Sequence, residues 1–224
     1  MSRDLYASWS GATAAWQQLE LIAGNVANSS TAGYREQRAA FELAGNAEPL
    51  ADASTRLRTV TYSRAEGNLQ RDSVPTHFAL RGEGFFALAD GTFTRDGSFR
   101  LDVERRLVNA VGVPVLTDSG PIQLALGETI SVDEQGNVSG SLTGELGKLR
   151  IVQLTDGRQV GGNAWAGTAA ETPASVVQGA VEGSNVDPLR GMVELIEASR
   201  FFEAQQKAMQ TSDDLSGRLV RMTE

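Results

Sequence analysis

The chain has 224 residues, with 21% charged residues, 41% hydrophobic residues and a formal net charge of −8 at pH 7. This length can form one large domain or two small ones, while an acidic chain without a basic cluster is a poor candidate for binding nucleic acid or anionic lipid. The absence of cysteine excludes disulfides and thiol chemistry and removes the commonest structural zinc ligands.

The first predicted element is a helix from about Leu5 to Asn28. Its apolar residues recur at alternating steps of four and three, the heptad spacing that keeps one helix face turned toward a partner helix. These heptad residues are Leu5, Trp9, Ala12, Trp16, Leu19, Ala23 and Val26. The polar run 28–33 then ends the helix, because Asn, Ser and Thr compete for backbone hydrogen bonds and Gly33 tolerates positive φ.

No targeting or membrane-spanning segment is predicted. The residues Met1–Asp4 lead into an amphipathic helix without an apolar signal-peptide core or a small-residue cleavage site. Charged and polar residues also interrupt the longest helical segments. We therefore expect that export, if it occurs, uses no cleaved signal peptide, and that the chain does not insert into a membrane.

The middle of the chain is predicted to form strands. The small, polar stretch Leu43–Ser54 contains Pro49 and is expected to be a loop, whereas from Leu57 to about Val177 apolar residues alternate or form short buried runs such as Gly84–Ala89. Dipeptides of the kind that form tight hairpin turns separate these runs. They are Asp90-Gly91, Asp96-Gly97, Ser119-Gly120, Gly136-Asn137 and Asp156-Gly157. The segment Gly161–Pro173, rich in Gly, Ala and Thr, is predicted to be a loop.

A second helix is predicted from about Asp187 to Met222. Asp187 can cap its N-terminus and Pro188 suits the first helical position. The apolar stripe of this helix is wide enough to contact more than one neighbour, so it can lie on the β domain or pair with other helices. One apolar row is Met192, Leu195, Phe202 and Met209, and the other is Phe201, Ala204, Ala208, Leu215, Leu219 and Met222.

Together these patterns predict an α+β fold. Long N- and C-terminal helices pair as a coiled-coil-like unit, and the centre is an antiparallel β domain of sequential hairpins. The predicted division is 1–35 for the N-terminal helix and its exit, 36–182 for the β domain with flanking loops, and 183–224 for the C-terminal helix. Matched amphipathic helices at both ends favour assembly over catalysis. The predicted assembly interface is Leu5, Trp9, Ala12, Trp16, Leu19, Ala23, Val26, Met192, Leu195, Phe202, Met209, Leu215 and Leu219.

The sequence carries no complete motif for catalysis or for a cofactor or metal. His77 is the only histidine, no nucleophile motif accompanies it, and a structural role is expected. Gly82-Glu83-Gly84 begins like a dinucleotide fingerprint but lacks the third glycine and a following helix. Asp133–Asn137 begins like a calcium loop, yet its glycine is fourth rather than sixth and Gly144 stands at the twelfth position, so a turn is expected. We predict no enzyme activity, no cofactor and no metal.

Three motifs in order, spread over nearly the whole chain, resemble the rod/hook family of flagellar basal-body proteins. The motif residues are Leu5-Tyr6, Ser10–Ala12, Asn25–Asn28 and Thr31–Arg35 in the first, Leu80–Leu88 and Phe93–Phe99 in the second, and Gln178–Pro188 with Met192–Ile196 in the third. The chain departs from the family pattern at Gly24, where a second Asn is usual, and at Arg105-Arg106, where a Gly is common.

The resemblance implies a structural subunit of the bacterial flagellar rod that polymerises through its terminal helices into the axial drive shaft. It implies export by the flagellar type III apparatus, a place in the basal body across the periplasm, and contacts with itself and other rod proteins in a helical tube. Phe201–Lys207 and the short segment 43–54 resemble the proximal rod type. The alternatives are a distal rod or hook-type subunit and, in another class, a β-domain hydrolase or binding module with helical flanks.

Overall fold

The structure, a computed structural model, describes the backbone of residues 3–44, 54–161, 163–172 and 174–222 and the side chains of residues 9–41, 58–161, 163–172, 174–211 and 214. Its helices, α1 (Arg3–Ala27) and α2 (Pro188–Met222), lie at the two ends of the chain, and antiparallel strands follow one another between them. The predicted α+β class and both predicted helices are confirmed.

The strands are mostly short, as expected for a chain with many turn signals. In chain order they are β1 (Gln37–Ala44), β2 (Ser54–Tyr62), β3 (Leu69–Arg71), β4 (Phe78–Arg81), β5 (Phe85–Ala87), β6 (Phe93–Thr94), β7 (Arg100–Leu101), β8 (Leu107–Val108), β9 (Leu116–Thr117), β10 (Gly120–Pro121), β11 (Ile130–Val132), β12 (Asn137–Gly140), β13 (Gly144–Lys148), β14 (Ile151–Gly161), β15 (Ala164–Glu171), β16 (Ser175–Gln178) and β17 (Ala180–Glu182).

Contacts divide the chain into two compact units. The helical unit contains α1, α2 and the hairpin of β1 with β2, from residues 1–29, 36–63 and 186–224. The β unit contains β3 to β17, from residues 30–35 and 64–185. The hairpin of residues 36–63 therefore groups with the helices. The predicted ranges 1–35, 36–182 and 183–224 stay a prediction.

Within the helical unit, α1 and α2 run antiparallel. The ring centroids of Trp16 and Phe202 lie 5.6 Å apart, and a Cβ added at Gly191 would lie 2.7 Å from Val26 Cγ2. A glycine at position 191 therefore allows close approach of the end of α1 to the start of α2. The coiled-coil character of this pairing stays a prediction.

Asn25 is one of the side chains that hold the hairpin of β1 and β2 to α1. Asn25 lies on α1, is 8% exposed, and donates from Nδ2 to the Gln37 carbonyl at 2.8 Å while its Oδ1 accepts the Gln37 amide at 2.9 Å. The hairpin pairs Gln37 with Tyr62 at one end and Ala44 with Ser54 at the other. Thus β1 is a strand that the periodicity did not predict. The predicted loop Leu43–Ser54 was wrong at its ends, because Leu43 and Ala44 lie in β1 and Ser54 lies in β2, and residues 45–53 lie outside the described residues.

The start of α2 is as predicted. Asp187 Oδ1 accepts the backbone amides of Leu189 and Arg190 at 3.0 and 3.2 Å. This carboxylate satisfies two of the amides that have no partner within the first turn, and Pro188 follows it at the first helical position.

The β unit encloses an apolar core. Strands β14, β15, β6 and β5 form a closed ring, and the hairpins β7–β8, β9–β10 and β11–β12–β13 follow in sequence order. Late strands pair with early ones, β16 with β4 and β17 with β3, so the domain is only partly one of sequential hairpins. Fully buried core residues include Phe78, Leu80, Phe86, Leu88, Phe99, Leu107, Val115 and Ile122.

Three of the five predicted hairpin turns are confirmed. The dipeptides Asp90-Gly91, Ser119-Gly120 and Gly136-Asn137 lie at the turns from β5 to β6, from β9 to β10 and from β11 to β12, with their glycines at positive φ. The expectation for Asp96-Gly97 was wrong, because Gly97 bonds instead to the Phe78 amide and a Cβ there would overlap the Phe78 carbonyl. Asp156-Gly157 was also wrong, since it forms a bulge inside β14, where Asp156 has φ 56°.

The expected loop over 161–173 was wrong as well. Residues Ala164–Glu171 form β15, which pairs with β14 from Val152↔Glu171 to Gly161↔Ala164. This segment consists mostly of small residues, so its sequence shows no alternation of apolar and polar side chains. Backbone pairing and the buried Trp165 hold the strand instead.

A buried carboxylate organises two turns of the β unit. Glu128 is 5% exposed and accepts the Ala125 amide at 2.6 Å, the Thr143 amide at 2.7 Å and the Thr143 hydroxyl at 2.9 Å. These donors, the Ala125 amide first, lower the pKa of Glu128 from 4.5 to about 2.

The stability of the β unit is therefore expected to fall in acid. Because the folded-state pKa of Glu128 lies below 4.5, its stabilisation is present above that pH and is lost as the pH falls toward 2. Glu128→Gln should lower the free energy of unfolding at pH 7, and its difference from the unsubstituted protein should shrink at pH 3. Denaturant titrations at both pH values measure this. The exposed Glu134→Gln variant is the control and should match the unsubstituted protein at pH 7; an equal loss for Glu128→Gln at both pH values would contradict the assignment.

Candidate assembly interface

The N-terminal helix has two covered faces and one open face. Ala14 and Ala15 are 8% and 3% exposed, whereas Trp9 and Trp16 are 66% and 52% exposed. Trp9 and Trp16 are seven residues apart and therefore lie on the same side of the helix. This side of α1 is therefore partly open to solvent, although the Trp16 ring also packs against Phe202 of α2.

The row of α2 that faces α1 follows heptad spacing. Its least exposed positions recur at steps of four and three, and their small members permit close contact with α1. This inward row is Gly191, Leu195, Ala198, Phe202, Gln205 and Met209.

The start of α2 carries a second apolar stripe on its opposite side. We call it the outer stripe; it consists of Leu189, Met192, Val193 and Ile196. Their exposures are 74%, 51%, 51% and 55%. At about 100° per residue, the centre of this stripe lies roughly 150° around the helix from the inward row. The outer stripe therefore has no part in the packing of α1 against α2.

The predicted interface residues fall into three groups. Trp9, Trp16 and Met192 are exposed, while six others are half-buried: Ala12, Leu19, Ala23, Val26, Leu195 and Met209. Phe202 is half-buried against Trp16. Leu5 lies in α1, and Leu215 and Leu219 lie in α2, with side chains outside the described residues. Leu189, Val193, Ile196 and Phe201 are exposed apolar residues that the predicted interface omitted, although Phe201 stood in the predicted second row.

One residue from each of the three motifs contributes to a buried ionic cluster, here called the Glu182 cluster, which consists of Arg35, Arg95 and Glu182. Arg95 and Glu182 are 1% exposed and Arg35 is 6% exposed. Glu182 Oε1 lies 2.9 Å from Arg35 Nη2, and Glu182 Oε2 accepts the Arg95 Nε–H. Burial lowers the pKa of Arg35, and the charge of Glu182 opposes that shift.

The remaining polar candidates have structural partners. His77 Nδ1 pairs with Asp72 Oδ2, and Asp133 Oδ1 accepts the amides of Gln135 and Asn137 at 3.0 and 2.8 Å. The expected turn is thus confirmed, while the structural role of His77 stays a prediction. Across the described ranges, no group of three or more histidine and carboxylate side chains is arranged to hold a metal ion.

An open cleft of about 590 Å³ in the β unit is lined in part by Asp118, Lys148, Arg150 and Glu171. Asp118 Oδ1 accepts the Lys148 amide at 2.9 Å, and this bond is the main cause that lowers the pKa of Asp118. A carboxylate held ionised in this way is unsuited to donate a proton near neutral pH. Asp118 is therefore not a candidate general acid.

Comparison with known families assigns all three parts of the chain that carry the motifs. Residues 5–35 match the family described as "Flagella basal body rod protein", and residues 177–222 match "Flagellar basal body rod FlgEFG protein C-terminal". Residues 79–140 match "Flagellar hook protein FlgE/F/G D1 domain". The two rod matches cover nearly all of α1 and the whole of α2, including both exposed apolar surfaces.

Full-length relatives are similar along the whole chain. The flagellar basal-body rod protein FlgG of Borreliella burgdorferi is 31% identical over 257 aligned positions, covering 97% of this chain and 97% of that protein. The chain belongs to the flagellar basal-body rod protein family. The rod protein FlgF of Escherichia coli (strain K12) is 30% identical over 248 positions, with 97% of each chain covered, and FlgF of Caulobacter vibrioides is 31% identical over 236 positions, with 96% of each covered.

Membership in the rod family identifies the protein as a structural subunit of the flagellar basal-body rod, as the resemblance implied. Its place is the basal body of the flagellum, among other rod components. Within the described residues, neither helix is both long enough and apolar enough to cross a membrane.

Proposed function

We propose that this rod subunit polymerises through the open faces of its two terminal helices. The observation that carries the proposal is the outer stripe of Leu189, Met192, Val193 and Ile196, which points away from α1 and is at least half exposed. Removing such residues from water gives about 25 cal/mol for each Å² of apolar surface, which is the main driving force for protein association. Head-to-tail contacts that do not close build a helical assembly.

The exposed apolar surfaces of α1 and α2 present different types of side chain. Trp9 and Trp16 on α1 present large aromatic rings, the residue type that contributes most to protein interfaces, while the outer stripe on α2 is aliphatic. We propose that Trp9 and Trp16 of one subunit contact the outer stripe of the next. The half-buried residues Leu19, Val26, Leu195 and Met209 then serve to align the two helices within each subunit.

Two features favour the proximal rod type. The segment Phe201–Lys207 resembles that type, and the alignments with the FlgF proteins span 248 and 236 positions where the FlgG alignment spans 257. With 224 residues, this chain therefore needs fewer gaps in its alignments with the two FlgF proteins than in its alignment with the FlgG protein. A distal rod or hook-type subunit is the second candidate, favoured by its similar identity to FlgG.

We further propose that the subunit is exported by the flagellar type III apparatus, stays outside the membrane, acts without a cofactor and catalyses no reaction. The basis is the rod family together with the structural partners found for His77, Asp118 and Asp133. In this proposal its partners are other copies of itself and neighbouring rod proteins.

Photo-crosslinking from adjacent residues of α2 tests the proposed interface. A photoreactive amino acid at Ile196, on the outer stripe, is expected to cross-link other rod subunits in purified basal bodies. The same probe at Leu195, on the inward row, is expected to give intrachain products with α1. Mass spectrometry of the adducts separates the two. Intermolecular adducts from Leu195 together with none from Ile196 would reject the proposed interface.

A further inference from the structure

The carboxylate of Glu182 is in contact with three separate segments of the β unit. Its Oε1 accepts the Gly67 amide at 2.9 Å and pairs with Arg35 Nη2 at 2.9 Å. Its Oε2 is bound by Arg95, whose guanidinium also donates to the carbonyls of Leu80 at 2.9 Å and Gly84 at 2.6 Å. One buried side chain therefore joins residues from the start, the middle and the end of the unit.

Backbone hydrogen bonds surround this carboxylate and join the same segments. The Gly33 amide donates to the Glu182 carbonyl at 2.8 Å, and the Gly183 amide donates to the Asn68 carbonyl at 2.9 Å. Asn185 donates from its side chain to the Ala65 carbonyl at 2.8 Å and from its backbone to the Tyr34 carbonyl at 3.3 Å. The segments 33–35, 64–68 and 182–185 thus lie side by side.

These three segments are the ends of the β unit in the sequence. The unit consists of residues 30–35 and 64–185, so each segment leads directly into a part of the chain that contains α1, the β1–β2 hairpin or α2. Gly67 allows two of these segments to approach closely, because a Cβ at this position would overlap the Gly183 carbonyl oxygen. Gly33, at φ 67°, allows its segment to approach the backbone of Arg95 and Asp96, which a Cβ there would overlap.

We propose that Glu182 is a positioning residue for assembly: it fixes on the β unit the three segments that carry the chain into α1, the hairpin and α2. The inference rests on the proposed function, in which those elements make the contacts between subunits. Neutralising Glu182 leaves two buried guanidinium groups without their counter-charge, and the least costly response is for the Arg35 segment to separate from the others. The rest of the β unit, including the turns around Glu128, has its own hydrogen bonds and stays closed.

Hydrogen exchange of the purified full-length protein tests this locally. Glu182→Gln is expected to speed exchange at the amides of Gly33, Gly67 and Asn185 by at least about tenfold, because opening of this region becomes easier, while Val138 and Thr143 exchange as before. Glu128→Gln is the matched control and should give the reverse pattern. Equal acceleration at all of these amides, or none, would overturn the inference.

A second variant keeps the test independent of charge. Gly67→Ala pushes a methyl group against the Gly183 carbonyl without altering any ionisable group, and it should speed exchange at the same three amides. If Glu182→Gln fails to fold, Gly67→Ala decides the question by the same criterion.

Incorporation into basal bodies then separates this inference from the proposed function. We expect both variants to enter rods less than a tenth as often as the unsubstituted subunit, at a temperature where both remain folded. Normal incorporation of subunits that show the local exchange increase would reject the positioning role and leave the helix interface intact. In subunits that keep Glu182 and Gly67, intermolecular adducts from the probe at Leu195 together with none from the probe at Ile196 would instead reject the proposed function.

Discussion

Ile196→Asp is expected to abolish entry of the subunit into the rod while leaving the isolated subunit folded. Ile196 is 55% exposed and lies on the outer stripe, opposite the row that faces α1. In the free subunit the new carboxylate is hydrated, and substitutions at such surface positions usually change stability by less than about 0.5 kcal/mol. In the assembled rod the same carboxylate would be buried in an apolar contact without a partner. A cost of about 3 kcal/mol at each contact corresponds to a loss of affinity of more than a hundredfold.

Two neighbouring substitutions provide the controls for this result. Leu195→Asp faces α1 and is expected to destabilise the helical unit itself, so that thermal unfolding moves to lower temperature. Gln206→Asp introduces the same charge at an exposed polar position of α2 and should leave both stability and incorporation unchanged. Circular dichroism gives the folded state, and immunoblots of purified basal bodies with swimming assays give incorporation. Swimming cells that carry Ile196→Asp subunits in their rods would contradict the interface.

The helices were predictable because their pattern is long and their caps are explicit. Seven heptad positions before Asn28 and the Asp187-Pro188 cap are signals that tertiary structure rarely overrides. The face that each helix turns to its partner was harder to predict. Both rows of α2 are apolar, and contact with α1 is set by the small residues Gly191 and Ala198, which periodicity of large side chains does not report.

The β unit shows the limits of turn dipeptides. Asp90-Gly91 and Asp156-Gly157 are the same pair of residues, yet one forms a hairpin turn and the other a bulge within β14. The difference lies in the strand pairing around each dipeptide. Strand β14 continues through its bulge because β15 pairs with it on both sides of Asp156-Gly157. Strand β16 pairs with β4 and β17 pairs with β3, although these partners are distant in the sequence. No local signal in the sequence specifies them.

The Glu182 cluster was not predicted as a site, although its residues stood in the recognised motifs. A signal exists in retrospect: Glu182 ends the strand Ala180–Glu182, where the alternation assigns it a buried position. Arg95 carries no such signal: it directly follows the buried Thr94, so alternation assigns it to the opposite face, and yet it is 1% exposed. A charged residue at a buried position of a strand requires a partner of opposite charge, but the sequence does not reveal which of the many distant residues supplies it.

Replacement of Arg95 by Met is expected to destabilise the β unit by about 3–5 kcal/mol, the usual cost of breaking a buried ion pair. Among the described residues Arg95 is the largest fully buried side chain, and its loss removes its hydrogen bonds to the Leu80 and Gly84 carbonyls and leaves Glu182 with one guanidinium partner. Arg95→Lys should lower the free energy of unfolding by less than Arg95→Met, because the positive charge remains. It should still destabilise the unit, because a single ammonium cannot replace a planar guanidinium that bonds three acceptors.

The unfolding of the β unit can be followed separately because Trp165 is 3% exposed in its core and the other two tryptophans, Trp9 and Trp16, lie on α1. Urea titrations in a Trp9→Phe, Trp16→Phe background therefore report this unit alone. Arg190→Met, which removes an exposed pair with Glu194, is the control and should leave the midpoint unchanged. A midpoint for Arg95→Met equal to that of Arg190→Met would show that the buried cluster does not hold the β unit together, and the positioning role of Glu182 would lose its physical basis.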